Sequence, residues 1–133
     1  MSNAQRAWLA GIIDGEGWIS VLSCSGRNLL VLGVGNTDEA IVRCCQKIAN
    51  GGSITSRLPQ GFGTRVQWIW QINGLAAQKM IRQVMPYLVG IEKRRRAELV
   101  MQFPCYPNGS HPLTEKAKAT RRRVYEEIKL GVI

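Results

Sequence analysis

The spacing of apolar residues along the chain predicts helices that alternate with pairs of strands. A short helix ends near residue 17, and a hairpin of two strands rich in Ile, Val and Leu follows over 18–34. Apolar positions at helical spacing then reach Ala49, and two further strands follow over 53–58 and 64–72. This order predicts the α+β fold class with an antiparallel sheet.

The second half of the sequence predicts three more helices. Apolar residues recur at helical spacing over 75–85, and a similar run over 91–103 stops at Pro104. A proline-containing loop follows. A last helix begins after Thr114 and reaches about Leu130.

The strand pair over 53–58 and 64–72 separates polar from apolar side chains. The second strand has an apolar face (Val66, Trp68, Trp70, Ile72) and an opposite face with hydrogen-bonding side chains (Arg65, Gln67, Gln71) beside Ile69. The first strand presents Ser53, Thr55 and Arg57 on one alternating face. Arg and Gln read guanine and adenine edges, and a two-stranded β-ribbon fits the major groove. An ordinary solvated sheet face has the same pattern, so both interpretations stay open.

The charge of the chain favours a polyanionic partner. Lys and Arg number 18 against 9 Asp and Glu, which gives a net charge of +9. Since no basic amphipathic anchor or long apolar span is visible, nucleic acid is favoured over membrane, although charge does not distinguish DNA from RNA. The length of 133 residues predicts one domain.

The four cysteines predict neither a zinc site nor a disulfide framework. Cys44 and Cys45 are adjacent, no Cys-x-x-Cys pair occurs, and His111 is the sole histidine. A reduced intracellular protein is the better interpretation. No secretory or lipidation motif opens the chain, and a protein translated inside an organelle needs no transit peptide. A mitochondrion, a chloroplast and a prokaryotic cytoplasm therefore stay open as locations.

The helix that ends near residue 17 combines small residues with two acids. Ala7 and Gly11 share one face with Ala10 beside them, and such a face lets a second backbone come very close. The helix runs into Asp-Gly-Glu-Gly over 14–17, where the helix dipole disfavours negative charge. A divalent cation bound through oxygen ligands would supply the counter-charge. For an isolated Asp-Gly-Glu, solvated acids at a surface helix end would be the default interpretation.

Residues 9–17, Leu-Ala-Gly-Ile-Ile-Asp-Gly-Glu-Gly, resemble the signature of the LAGLIDADG homing endonucleases. Ile12, Gly15 and Glu16 are conservative departures from that signature. A second, weaker resemblance covers 86–103, where Lys93 corresponds to a lysine beside the family's metal site. The resemblance covers about 4–103 and implies an αββαββα core with a saddle-shaped antiparallel sheet over DNA, followed by C-terminal helices. The loop and last helix over 104–133 lie beyond that core.

The resemblance also implies a homodimer with a shared active site. Motif helices of this family pack against each other in pairs, and this sequence contains the motif once. The dimer-interface residues implied are Ala7, Ala10, Gly11 and Asp14. Asp14 is interpreted as structural, accepting backbone N–H groups where the helix turns. An isologous dimer is expected to recognise a pseudo-palindromic DNA site.

The implied reaction is hydrolysis of one phosphodiester bond on each DNA strand, which leaves a staggered break. Glu16 and its dimer mate would bind Mg²⁺, with the Gly15 carbonyl as a further ligand, and Mn²⁺ or Ca²⁺ would substitute for binding. Lys93 would add positive charge near the scissile phosphate, and Asn36 would orient a water. The family more often has Asp at the Glu16 position, and the longer Glu is expected to shift the metal.

Side chains on the second strand pair and on the last helices are candidate DNA contacts. The strand residues would read bases, while arginines on the helices would contact phosphates, which position a protein without conveying sequence. The candidate DNA-binding residues are Ser53, Thr55, Arg57, Arg65, Gln67, Arg94, Arg121 and Arg122. For the last helix, a purely structural role fits the sequence equally well.

Three functions fit this scaffold. The first is an intron- or intein-associated homing endonuclease that cuts a long DNA site. The alternatives are an intron RNA maturase and a cleavage-inactive DNA-binding protein. Intact Glu16 and Lys93 argue against lost cleavage, and no RNP-type aromatic motif supports RNA binding.

Overall fold

A computed structural model describes residues 1–59, 61, 65–107 and 113–131. The described residues form a four-stranded antiparallel sheet and five α-helices, which confirms the predicted α+β class. The helices are α1 (Asn3–Glu16), α2 (Glu39–Ala49), α3 (Gly74–Val84), α4 (Ile91–Val100) and α5 (Glu115–Leu130). The strands are β1 (Gly17–Cys24), β2 (Arg27–Asn36), β3 (Ser53–Arg57) and β4 (Gln67–Asn73), in the sheet order β1-β2-β4-β3.

The first helix passes directly into the first strand at Gly17. A Cβ on this residue would lie 2.8 Å from the Cα of Ile13 and 2.9 Å from the carbonyl oxygen of Gly33. Any larger residue would therefore push α1 away from the sheet. Because Gly17 is paired with Val34, the helix ends where β1 begins and β2 approaches its end.

The strand register follows from a tight hairpin. Ser25 and Gly26 connect β1 to β2, and both have positive φ, 50° and 77°, as the twist of a two-residue hairpin turn requires. β2 then pairs along its other edge with β4, from Val31 opposite Asn73 to Asn36 opposite Trp68. The predicted hairpin is confirmed, and β2 is a central strand.

Alternation along the paired strands gives the sheet two distinct faces. The inner face packs against the helices and is at most 7% exposed at Ile19, Val21, Leu30, Leu32, Val34, Trp70 and Ile72. We call the opposite side the outer face. Its residues are Trp18, Ser20, Leu22, Cys24, Arg27, Leu29, Val31, Gly33, Gly35, Ser53, Thr55, Arg57, Gln67, Ile69, Gln71 and Asn73. The register thereby assigns the faces of residues 18–34, which the apolar pattern alone left ambiguous.

Two predicted boundaries are wrong by a few residues. The strand expected from residue 64 begins at Gln67, where pairing with Arg57 begins, and Thr64 lies outside the described residues. The helix expected to reach Phe103 ends at Val100. The next turn is tighter: the N–H of Phe103 donates to the carbonyl of Val100, and the ring is buried.

The last helix belongs to the core of the chain. Val124 and Ile128 of α5 are 0% and 3% exposed, and both lie in the main apolar cluster. The guanidinium of Arg123 also donates to the side chain of Gln102, at 2.7 Å. Across the described residues, no helix is both long and apolar enough to cross a membrane.

Candidate active site and nucleic-acid interface

The end of α1 presents a carboxylate that has no partner within the described residues. Glu16 is the last residue of the helix, and both it and Gly15 are exposed. Within the described part of the chain, no hydrogen bond or ion pair involves the Glu16 carboxylate. Negative charge at a helix C-terminus is unfavourable and no partner holds this carboxylate, so the acid is not explained by the stability of the fold.

The other acid of the motif has a structural function. The two carboxylate oxygens of Asp14 accept hydrogen bonds from the backbone N–H groups of Val89, at 2.8 Å, and Gly90, at 3.1 Å. These contacts tie α1 to the segment that leads into α4. The expected acceptor role of Asp14 is therefore present, while its place in a dimer interface stays a prediction.

The same tie brings Lys93 to the motif. Lys93 lies in the first turn of α4, and its Nζ donates to the carbonyl oxygen of Asp14 at 3.4 Å. A cation at a helix C-terminus is electrostatically favourable, and here it lies two residues before Glu16. The structure thus brings together two of the predicted catalytic residues, 77 positions apart in sequence, at one end of α1.

Asn36 lies at the same end of the sheet as this cluster. It follows Val34, the residue paired with Gly17, by two positions. Its Oδ1 accepts a hydrogen bond from the N–H of Asp38 at 2.8 Å, which shapes the entry into α2. The NH₂ group of the side chain makes no hydrogen bond within the described residues and is left for a water or a ligand.

One chain supplies too few ligands for a metal site. Among the described residues, no group of three or more His, Cys, Asp or Glu side chains could hold a metal ion. Hard divalent cations take six or more oxygen ligands. A metal held by Glu16 would therefore need donors from a second chain, a nucleic acid or water.

The side of α1 that faces away from the core carries mostly small residues. Ala4, Ala7 and Gly11 are exposed, and a Cβ built on Gly11 would meet nothing within 4 Å. Ala10, expected beside them at a dimer interface, lies elsewhere: it is 0% exposed, because it points with Leu9 into the chain's own core. The exposed face consists of Ala4, Ala7, Trp8, Gly11 and Gly15, and we call it the α1 face.

Apolar side chains extend this exposed surface beyond α1. Val89 and Ile91, on either side of the glycine held by Asp14, are 82% and 78% exposed. Tyr87 and Trp8 are each 37% exposed. Large apolar side chains clustered around a small-residue helix face are typical of a protein–protein contact.

The outer face of the sheet gathers the predicted base-reading residues. Arg57 is paired with Gln67 across β3 and β4, and Thr55 is paired with Ile69 in the same way. Arg65 lies just before β4 and is exposed. Within the described residues, no intrachain hydrogen bond occupies the side chains of Arg57, Arg65 or Gln67. These donors are therefore available to a ligand.

Most of the basic run on α4 is used within the chain. Arg95 and Arg96 form ion pairs with Glu92 at 2.8 and 3.0 Å, and Arg96 also donates to the carbonyl of Ile19. Burial opposes ionisation of the Glu92 carboxyl, but hydrogen bonds and charge from the two arginines outweigh it and lower its pKa. Arg94, by contrast, is exposed on the free side of the helix.

The arginines of α5 also divide into two roles. The guanidinium of Arg121 donates twice to the carbonyl of Pro104, at 2.9 and 2.7 Å, and lies 4.8 Å from the centre of the Phe103 ring. These contacts give Arg121 a structural role within the chain, while its predicted phosphate contact stays a prediction. Arg122 is exposed, so the predicted contact remains open there. Helical spacing alone could not separate the two neighbours.

Sequence reasoning missed one prominent residue of the outer face, Trp18. Apolar residues occur on both sides of β1, so the sequence pattern assigns Trp18 to neither face. Gly17 faces Ile13, and side chains alternate along a strand, so the next residue, Trp18, must face outward.

Comparison with known proteins identifies the fold. The chain matches no family model, and no curated protein is similar to it in sequence. Among solved structures, homing endonuclease I-CvuI in complex with its target superposes with a TM-score of 0.73 at 24% identity, over 96% of this chain and 81% of that one. The archaeal intron-encoded homing endonuclease I-Vdi141I, complexed with DNA, gives a TM-score of 0.68 at 14% identity, over 96% and 84%.

A third neighbour is larger. The LAGLIDADG meganuclease I-AabMI, bound to uncleaved DNA, gives a TM-score of 0.66 at 19% identity, over 96% of this chain but 46% of that one. The chain has the fold of the LAGLIDADG homing endonucleases, so the resemblance inferred from residues 9–17 is confirmed at the level of fold. It matches most of the I-CvuI and I-Vdi141I chains and about half of I-AabMI.

Proposed function

We propose that this protein is a homodimeric, metal-dependent endonuclease that cuts both strands of a long, pseudo-palindromic DNA site and is associated with an intron or intein. One observation carries the proposal. In a fold shared with DNA-bound homing endonucleases, the motif helix ends in a free carboxylate beside Lys93, at the end of the sheet where the outer face begins. A carboxylate can hold a metal ion that activates water, and a lysine can stabilise the charge that develops on a phosphate, so both groups suit phosphodiester hydrolysis.

A dimer is supported by what one chain lacks. A single chain offers one free carboxylate at the end of one motif helix, and it spans 46% of I-AabMI. The α1 face is apolar, exposed and shallow enough for a second helix backbone. Two copies related by a two-fold axis along this face would bring two Glu16 side chains together and place two outer faces side by side.

The residues around Glu16 fit a hard divalent cation. The Glu16 carboxylate and the Gly15 carbonyl are oxygen donors of the kind that Mg²⁺ takes. When bound, the metal would supply an activated water and compensate charge on the leaving oxygen. In support, I-CvuI has been crystallised with DNA in the presence of Ca²⁺ and of Mg²⁺. Mn²⁺ or Ca²⁺ would substitute for binding.

Other residues of the chain would act at the scissile phosphate or bind the DNA. Lys93 would place its ammonium next to the scissile phosphate, and the free NH₂ group of Asn36 would orient a water. The outer face of β3 and β4 fits the major groove as a ribbon that carries Arg57, Gln67 and their neighbours. Arg94 and Arg122 would contact phosphates and fix the register on the duplex.

The test is cleavage of DNA that carries the sequence of the interrupted gene without its intron or intein. With Mg²⁺, the wild-type protein is expected to give discrete linear products, which disappear when the metal is chelated. Binding of the same DNA without cleavage in any divalent metal would favour the inactive DNA-binding protein. Preferential binding of the intron RNA over this DNA would favour the maturase.

A further inference from the structure

The centre of the outer face is covered by one indole ring. A Cβ on Gly33 would lie 2.3 Å from Cε2 and from Cζ2 of Trp18, so the ring occupies the space that a side chain at position 33 would need. A Cβ on Gly35 would lie 2.8 Å from Nε2 of Gln67 and 3.5 Å from Cζ3 of Trp18. The ring therefore lies over β2 with the amide of Gln67 beside it.

The register explains why these groups meet. Trp18 is directly opposite Gly33, and Gly35 is directly opposite Ile69, all on the outer face. Because two alternate residues of β2 have no side chain, the ring from β1 can lie flat across the strand. Val31, on the same face, is 0% exposed. An apolar strip thus crosses the middle of a face that is otherwise polar or charged towards β3.

The apolar strip lies close to the proposed cleavage site. Trp18 is two residues after Glu16, so it is the outer-face residue of β1 nearest the proposed cleavage site. The ring remains partly exposed, and so does the amide of Gln67. DNA lying on the outer face would therefore meet an apolar plane and a carboxamide close to the scissile phosphates.

We propose that Trp18 is a specificity-determining residue that recognises a thymine methyl group at an inner position of each half-site, with Gln67 held beside it to read a neighbouring adenine. This inference rests on the proposed function. The major groove displays the C5-methyl group of thymine to apolar side chains, while a Gln carboxamide pairs with N6 and N7 of adenine. Both groups lie within 3.5 Å of the Cβ position of Gly35, so the plane and the carboxamide would meet neighbouring base pairs.

The test removes single methyl groups from the DNA. Each thymine of the preferred site, identified by binding selection from a randomised library, is replaced in turn by uracil. For the wild-type protein, replacement of one inner thymine is expected to lower the affinity for the DNA roughly fourfold, the factor that burial of one methyl group gives. In the variant Trp18→Ser the same replacement should change affinity by less than about 1.5-fold, because the apolar partner is gone.

Leu22→Ser is the matched control, since Leu22 lies on the same face of the same strand and is 45% exposed, but is farther from Glu16. It should keep the fourfold difference at the inner thymine. A fourfold difference that survives in Trp18→Ser would overturn the inference. A sharp wild-type sequence preference with no methyl dependence at any inner position would overturn it too, and would leave the endonuclease proposal intact.

A second measurement uses only wild-type protein, in case Trp18→Ser does not fold. DNA with 5-iodouracil in place of the inner thymine, irradiated in the complex, is expected to crosslink to the peptide that contains Trp18. A crosslink confined to any other peptide would contradict the assignment. A wild-type protein that selects no DNA sequence at all would remove the proposed function, and the inference with it.

Discussion

At the scale of single residues, the two motif acids differ in what surrounds them. Asp14 accepts two backbone hydrogen bonds from the segment before α4, whereas the Glu16 carboxylate forms no hydrogen bond or ion pair within the described residues. Groups that a fold needs are normally paired, and an unpaired exposed acid at a helix C-terminus is slightly unfavourable. We therefore expect the two substitutions to separate stability from activity.

Glu16→Gln is expected to abolish cleavage in Mg²⁺ and leave the melting temperature unchanged. The amide keeps the shape of the side chain but removes the charge that a hard cation requires. Affinity for DNA in metal-free buffer should stay within a few-fold, because phosphate contacts by Lys and Arg supply most of that binding. Cleavage and bandshift assays run side by side measure both effects. Full cutting by this variant would remove Glu16 from the metal site.

Asp14→Ala, unlike Glu16→Gln, is expected to lower the stability of the fold. Loss of the carboxylate leaves the N–H groups of Val89 and Gly90 without their acceptor, which costs about 1–3 kcal/mol of unfolding free energy. Chemical denaturation of this variant beside Glu16→Gln gives the comparison. Equal stability of the two variants would show that the tie between α1 and the α4 segment contributes nothing.

At the scale of elements, α4 and α5 use some arginines to hold the chain together and leave others exposed. Arg121 fixes the segment at Pro104, while its neighbour Arg122 points outward. Glu92 likewise holds two arginines of α4 in place. Such divisions depend on which side of a helix meets a neighbouring element, and the residue types alone do not reveal it.

Arg121→Ala and Arg122→Ala are expected to differ in kind. The first should destabilise the fold, because it removes two hydrogen bonds and a cation–π contact, by about 1–3 kcal/mol. The second should leave stability unchanged and weaken binding to all DNA sequences alike, with the slope of log affinity against log salt reduced by about two, because each copy of the proposed dimer loses one phosphate contact. Denaturation and salt titration of both variants provide the readout. A changed base preference in Arg122→Ala would contradict a phosphate contact.

The Glu92 carboxyl should contribute to the acid sensitivity of the fold. Its pKa in the folded chain lies below the usual 4.5, so the unfolded chain takes up the proton first as pH falls. The stabilisation by ionised Glu92 is therefore complete above the pKa that this carboxyl has in the unfolded chain. It is lost as pH drops through the lower pKa of the folded chain. Glu92→Gln should show a shallower fall in melting temperature between about pH 6 and about pH 3 than wild type. The melting temperature of the control variant Glu126→Gln, at an exposed position on α5, should fall as steeply as that of wild type.

The sequence was sufficient for the element order and for the motif but not for the faces. Helical spacing and strand alternation predict most of the described elements, because each buries one side against the core, while β1 and β2 are predicted by their Ile, Val and Leu content. Ala10 was placed on the wrong side of α1, since small residues occur both at the exposed face and against the sheet. The proximity of Lys93 to the motif depends on Asp14 holding Gly90, a tertiary contact that local patterns do not contain.

At the scale of the whole molecule, the proposed active site takes one carboxylate from each of two copies of the chain. The α1 face is apolar, and a side chain at Gly11 would project into open space. Gly11→Leu should therefore fold normally yet keep two helices apart, and give a monomer by light scattering at micromolar concentration where wild type is a dimer. Ala119→Leu, an exposed change on α5, should remain dimeric. A monomeric wild-type protein would exclude the shared site.

The most direct test of the central claim is to map the DNA ends that the wild-type protein leaves in Mg²⁺. A two-fold dimer with one Glu16 from each copy predicts one cut on each strand, staggered and placed symmetrically about the centre of a pseudo-palindromic site, and no cut by Gly11→Leu at equal concentration. Cutting by the monomeric variant, or breaks in the wild-type digest without two-fold symmetry, would contradict a site shared between two copies of this chain.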